Sequence, residues 1–250
     1  MFCNVAKEFE AYCAKSLQSG MEIAALSRAA FGSRTSSAMH EPSLTQDLMF
    51  KLHELGSNRL RVLLPQEKFT GGDIEIHMLL PGNKWIGLII QAKRVDLDKS
   101  GRYEILELAH NEGQQYADLI AFADSTNMLP CYMFFLPEKA AGVSPNRSGA
   151  MICNADQLGT LIQKRPHLLK DLLQYTRKLS TFLCCLDEDK EHELTHRLAK
   201  IFVARHMEKH PRMPGMNPPP DYIVEFMNTG KIATRWWDKG LGVATIDLRP

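Results

Sequence analysis

Gly71-Gly72-Asp73-Ile74-Glu75-Ile76-His77, followed after Pro81-Gly82-Asn83 by Lys84-Trp85-Ile86-Gly87-Leu88-Ile89-Ile90-Gln91-Ala92-Lys93-Arg94, is the stretch on which the fold turns. The first run alternates polar and apolar residues, the second holds the most apolar strand of the chain, and Pro-Gly-Asn between them is turn chemistry. Together they predict a hairpin with strands over 73–80 and 84–95. In a hairpin symmetric about Gly82, Asp73 and Gln91 are equidistant from the turn and therefore face each other. Period two then puts Asp73, Glu75, Gln91 and Lys93 on one face, and Ile74, Ile76, Ile86, Leu88, Ile90 and Ala92 on the other. A solvated hairpin alternates in the same way. Gln91 and Lys93, however, interrupt the end of an apolar strand, where burying polar groups is costly, and function is one reason to retain them.

Outward from the hairpin, the pattern is that of an α/β protein. Apolar residues at near-helical spacing over 5–30 predict an N-terminal helical arm (domain 1–40), with Gly20 as an interruption. Pro42 suits a first helical turn and Gly56 a stop, which predicts a helix over 42–55. A strand is expected at 60–64, a helix over 105–123 with a break at Gly113, a buried strand at 131–136, a short strand at 150–154 and a helix over 156–163. The helix between two buried strands makes a β-helix-β unit. The expected core is thus a mixed β-sheet flanked by helices over 41–163. After Pro166 two helices are expected, near 167–186 and 189–209. A proline-rich linker, a short segment at 221–227 and a final strand at 242–248 complete a C-terminal helical appendage over 164–250.

Composition narrows the classes. The 250 residues include 30 Lys plus Arg and 29 Asp plus Glu, a net charge of +1, so no global basic field holds nucleic acid and any such site is built locally. No run is long and apolar enough for a membrane span, and the first residues lack a basic region followed by an apolar stretch, which predicts a cytoplasmic protein without a membrane partner. The cysteines include no Cys-x-x-Cys pair and read as buried thiols, not disulfides or zinc ligands. Walker loops, Gly-x-Gly-x-x-Gly turns and Gly-x-Ser-x-Gly elbows are absent, which argues against ATP hydrolysis and serine-hydrolase chemistry.

The polar face of the hairpin has the composition of a hard-cation site. Carboxylate oxygens from Asp73 and a neighbour, with the amide oxygen of Gln91, are donors that Mg²⁺ prefers. Lys93 would stand beside the metal, orienting a water and offsetting charge on a phosphate. Glu41, at the start of a helix, and Glu67, shortly before Asp73, are candidates for the second carboxylate.

Glu41-Pro42-Ser43-Leu44-Thr45-Gln46, Gly71-Gly72-Asp73-Ile74-Glu75, Gln91-Ala92-Lys93-Arg94 and Gly113-Gln114-Gln115, in that order, resemble the PD-(D/E)XK restriction-endonuclease-like superfamily. The likeness is greatest to its Gln-x-Lys, Mrr-like branch and to an uncharacterised bacterial family within it, and it covers about residues 41–137. The resemblance implies a restriction-endonuclease-like fold and a metal-dependent endonuclease, a hydrolase of phosphodiester bonds using Mg²⁺ with Mn²⁺ as a substitute. DNA is the implied substrate, and bacterial restriction or antiphage defence the implied role. By the same resemblance Asp73, Glu41 and Gln91 bind metal and Lys93 is the catalytic lysine, with Glu67, Glu75 and Gln115 in support. Gln91 departs from the usual acidic ligand and removes one negative charge. Arg94, Lys99 and Arg102 form a basic neighbourhood suited to a phosphate backbone, and a homodimer or a partner protein is a means of completing a basic groove.

Two other classes compete. One is a noncatalytic nucleic-acid- or protein-binding module that keeps the nuclease fold. The other is a zinc metalloprotease, since His192-Glu193-Leu194-Thr195-His196 matches His-Glu-x-x-His. Phe202 and Ala199 stand where a metzincin has His and Gly, and the charged flanks describe a solvated helix face. Trp236-Trp237, between Arg235 and Lys239, suits either base stacking or an apolar anchor.

Overall fold

The computed structural model describes residues 1–31, 40–55, 60–65, 67–80, 84–98, 100–184 and 219–229. Their framework is one mixed sheet of seven strands: β1 (Leu60–Leu63), β2 (Ile74–Leu80), β3 (Lys84–Leu97), β4 (Tyr103–Ile105), β5 (Leu129–Phe135), β6 (Ala150–Asn154) and β7 (Arg177–Lys178). The order is β1-β2-β3-β5-β6-β7, with β4 also paired to β3. Only β3 and β5 run parallel among these pairs, as expected of strands joined through a helix. The hairpin register is the expected one, with Ile74 opposite Ile90 and Ile76 opposite Leu88, so Asp73 comes opposite Gln91 at its open end.

This register divides the apolar residues between two layers of helices. One face, with Ile74, Ile76, Ile86, Leu88, Ile90 and Ala92, packs on α1 (Phe2–Phe31) through Phe9, Cys13 and Leu17 and on α2 (Glu41–Glu54) through Leu44, Leu48 and Leu52. It also buries Leu179, Phe182 and Leu183 of α8 (Leu179–Leu183). The opposite face, with Trp85, Ile89, Tyr132 and Phe134, packs on Leu119 and Ala123 of α4 (Gln114–Thr126). Ile162 of α6 (Gly159–Ile162) and Leu169 and Leu172 of α7 (Leu169–Leu172) cover the rest. Burying each of the leucine, isoleucine and phenylalanine side chains among them stabilises the fold by about 1.5–3 kcal/mol. Short helices α3 (Glu67–Thr70) and α5 (Glu138–Ala141) lie in the connections, and α9 (Asp221–Thr229) lays Tyr222 and Ile223 into the interior. No helix among the described residues is long and apolar enough to cross a membrane.

Several expectations change. Helix α1 continues through Gly20, which is buried within it. The span 105–123 is not one helix: β4 ends at Ile105, turns follow, and a 3-10 turn at His110–Gly113 precedes α4. Gly113 has φ +92°, a conformation glycine adopts without cost, so the expected break is where the helix starts. The span 156–163 begins as a 3-10 turn, Ala155–Leu158, and becomes helical as α6. In place of one helix over 167–186 are α7, the edge strand β7 and α8. Pairing of Met151 with Lys178 and Ile152 with Arg177 brings this segment into the sheet. The helix expected at 189–209, the strand at 242–248, the His192–His196 motif and Trp236-Trp237 lie outside the described residues.

The cysteine expectation is also corrected, because Cys3 and Cys184 form a disulfide across 181 residues of sequence. Helix α1 packs against α8, which brings the start of one to the end of the other. Below this bond, Glu10 of α1 accepts the backbone N–H and hydroxyl of Ser180. Cys13, Cys131 and Cys153 are buried thiols, as expected.

Candidate functional site

The site lies where β2 and β3 part. Their pairing ends at Ile74 and Ile90, followed by one last bond from Asp73 N–H to Ile90 O at 2.8 Å. Beyond this point the N–H groups on that edge of β3 need other partners. Asp73 Oδ2 accepts Ala92 N–H at 2.7 Å, and the carboxylate of Glu41, at the first turn of α2, accepts Arg94 N–H. Two acidic side chains thus replace the missing strand on either side of Lys93.

Gln91 is fully buried, and its Nε2 donates to Asp73 Oδ2 and, at 3.0 Å, to Ala92 O. Its Oε1 is buried without a partner. Gln115, at the start of α4, repeats the pattern: Nε2 donates to Glu67 of α3, and Oε1 is buried without a partner. Lys93 is 4% exposed and acts electrostatically on both Asp73 and Glu41.

Two close approaches hold α4 at this point. Gly71 has φ +65°, and a Cβ there would come 2.4 Å from Gln115 O and 2.6 Å from Leu119 N. A Cβ on Gly72 would come 2.5 Å from the Ile89 side chain. The Gly-Gly pair therefore allows Asp73 and Gln115 to reach one site.

The carboxylates are short of positive charge. Burial pushes the Asp73 carboxyl up to about 7, and Glu67 adds to the rise; hydrogen bonds from Ala92 and Gln91 and the charge of Lys93 oppose it. Burial likewise pushes Glu41 up to about 7, opposed by Lys93 and assisted by Asp73 and Glu67. A cation would offset the cost of burying these charges and their smaller mutual repulsion. Among the described residues no three His, Cys, Asp or Glu side chains come close enough to hold a metal ion by themselves. A hard cation nonetheless fits the donor set when the orphaned Gln91 Oε1 joins Asp73 and Glu41 and water completes the shell, because amide and carboxylate oxygens are the donors Mg²⁺ takes.

Six residues named from sequence are thus brought together: Glu41, Glu67, Asp73, Gln91, Lys93 and Gln115. Glu75 shares their face but is engaged elsewhere. It is fully buried, with Oε2 accepting the Tyr222 hydroxyl at 2.9 Å and lying 2.9 Å from His77 Nε2. His77 stacks on Trp85 with ring centroids 5.6 Å apart. Arg94 reaches Asp96 at 3.4 Å, and Arg102 pairs with Asp98 at 2.9 Å within its own turn. Lys99 lies outside the described residues. The expected basic neighbourhood is therefore partly neutralised by the neighbouring Asp96 and Asp98.

Sequence reasoning missed Tyr132. It pairs with Gln91 in the parallel register, and its buried hydroxyl has no partner. Burial raises its phenol far above the ordinary range, with smaller contributions from Asp73 and Glu41. The available signal was a polar-tipped ring within Cys131-Tyr132-Met133, a strand otherwise read as wholly apolar.

No curated protein matches the chain. A family model described as a family of unknown function, DUF6615, matches residues 12–244, from the first helix through the whole site and beyond it. The chain belongs to the DUF6615 family.

Proposed function

We propose that the chain is a Mg²⁺-dependent nuclease of the PD-(D/E)XK type that hydrolyses phosphodiester bonds, DNA before RNA, in the cytoplasm in bacterial restriction or antiphage defence. The observation that carries this reading is the parting of β2 and β3, with Asp73 and Glu41 on either side of Lys93 and Gln91 Oε1 buried without a partner. Bound Mg²⁺, or Mn²⁺ in its place, would supply Lewis-acid polarisation of a phosphate oxygen and a more acidic water. Asp73, Glu41 and Gln91 would hold it. The Gln91 amide fixes the Asp73 carboxylate through Nε2 and leaves Oε1 for the cation. The Lys93 ammonium orients the attacking water and stabilises the negative charge that develops on phosphate. Its burial strengthens that interaction by excluding bulk water. Gln115 positions Glu67 at the rim.

A noncatalytic nucleic-acid-binding module is the second reading, favoured by one observation: an amide at Gln91 leaves the site one charge poorer than a carboxylate would. Both are tested by incubating supercoiled, linear and single-stranded DNA, and RNA, with the protein in Mg²⁺, Mn²⁺ or EDTA. Metal-dependent cutting by the native chain that disappears in a folded Lys93→Ala variant is expected. Binding without cutting under every condition would replace the nuclease with the module.

A further inference from the structure

A polar cavity lies along the same end of the sheet. It has a volume of about 520 Å³ and is lined by Arg147, Arg177 and Lys178 together with Ser144, Asn146 and Thr176; no carboxylate is among its lining residues. In a chain whose net charge is +1, three cations around one concavity form a distinct local field. Much of each guanidinium remains available: the contacts are Arg147 Nη1 to Ala140 O at 3.4 Å and Arg177 Nη1 to Thr176 O at 2.8 Å.

The strand register relates this cavity to Lys93. Lys93 pairs with Phe134, Phe134 with Met151 and Met151 with Lys178. Met151 also lines the cavity, and Phe134 and Met151 share the cluster on the second face of the sheet. Three strand spacings separate Lys93 from Lys178, about 14 Å, or roughly four nucleotide steps of a duplex.

We propose that this cavity is a phosphate-backbone subsite that holds a nucleic-acid strand at a point removed from the Lys93 site. The inference rests on the nuclease reading for its substrate class and extends it with a second contact. The arginine forks suit nonbridging phosphate oxygens, and the Ser144 hydroxyl and Asn146 amide add donors without charge. A backbone contact at this distance from Lys93 would fix the register of the strand without reading bases.

The test measures binding of end-labelled duplex DNA, single-stranded DNA and RNA by fluorescence anisotropy across a salt series, with Ca²⁺ in place of Mg²⁺. Native protein is compared with Arg147→Gln/Arg177→Gln, with the charge-preserving Arg147→Lys/Arg177→Lys, and with Lys7→Gln/Lys15→Gln on the exposed side of α1. The glutamine pair is expected to bind at least about tenfold more weakly and to lower the salt slope by nearly 2, about 0.9 for each phosphate contact. The lysine pair should keep most of the affinity and the α1 pair all of it. Unchanged affinity and slope in a glutamine variant with native circular dichroism and melting would overturn the subsite, while metal-dependent cleavage by that variant would leave the nuclease intact. Cavity-dependent binding in Ca²⁺, with no cleavage by the native chain in Mg²⁺ or Mn²⁺, would support the subsite and overturn the nuclease. A native chain that neither binds nor cuts any of the three would overturn both.

Discussion

Replacing Asp73 by asparagine should stabilise the metal-free protein at pH 8, although Asp73 is the centre of the site. Its carboxyl has an ordinary value of 3.8 and is pushed by burial to about 7 in the folded chain. Below about pH 4 the group is protonated in both states and the folded form keeps its full stability. Between that point and pH 7 the unfolded chain ionises while the folded chain holds its proton, so stability falls as pH rises; above pH 7 the loss is complete. The shift corresponds to about 4 kcal/mol at 1.36 kcal/mol per pH unit. Asparagine carries no charge to desolvate, and its Oδ1 can still accept from Ala92 N–H and Gln91 Nε2. In EDTA at pH 8 the variant should melt roughly 10 °C above the native chain, and the difference should close towards pH 4. Mg²⁺ at a hundred times its Kd should add about 2.7 kcal/mol to the native chain and little to the variant. The measurement is a melting series by differential scanning fluorimetry from pH 4 to 8, with EDTA or Mg²⁺. A native melting temperature flat across that range, or an asparagine variant no more stable than native at pH 8, would refute the argument that an uncompensated carboxylate is held there.

Gln91→Glu should act in the opposite sense, lowering metal-free stability at pH 8 by about 1–3 kcal/mol through one more buried carboxylate beside Asp73 and Glu41 while tightening Mg²⁺ binding. Isothermal titration with Mg²⁺ checks this, and an unchanged affinity would remove Gln91 from the proposed ligand set. Gly71→Ala should cost more than about 2 kcal/mol in urea unfolding, since its Cβ meets the Gln115 carbonyl at 2.4 Å and its φ is +65°; a loss below half of that would mean α4 moves aside easily. Cys3→Ser should lower stability by up to about 5 kcal/mol, the chain-entropy value for a loop of this length, and reductant should reproduce the effect in the native chain. Equal melting with and without reductant would show that the bond does not constrain the folded protein.

The hairpin was legible because period two is a strong signal and Pro-Gly-Asn is a sequence signal about which two strands of equal length can be counted. That register placed Asp73 opposite Gln91 and Ile74 opposite Ile90. Glu41 and Lys93 were found through residue type and motif order, but their electrostatic proximity was beyond period counting: it depends on α2 starting at the point where β3 loses its partner strand. The segment after Pro166 was misread because apolar residues in helix–strand–helix order, as in Leu169, Leu172, Leu179 and Phe182, also satisfy a continuous helical period over a short window. Tyr132 escaped because a tyrosine inside an apolar run is ordinarily core, and only tertiary packing reveals that its hydroxyl lacks a partner. The disulfide could not be read from sequence because spacing alone does not show which distant cysteines meet.

The bond from Tyr222 to Glu75 spans 147 residues of chain, and it sets an order in time during synthesis. At about 5–20 residues per second, Glu75 is made roughly 7–30 s before the phenol that donates to its Oε2. For that interval β2 carries a carboxylate that has His77 but not yet Tyr222 beside it, next to the strand end that leads from Asp73. The nascent chain can pair β2 with β3 early, but the interior beside the site closes only after α9 has left the ribosome.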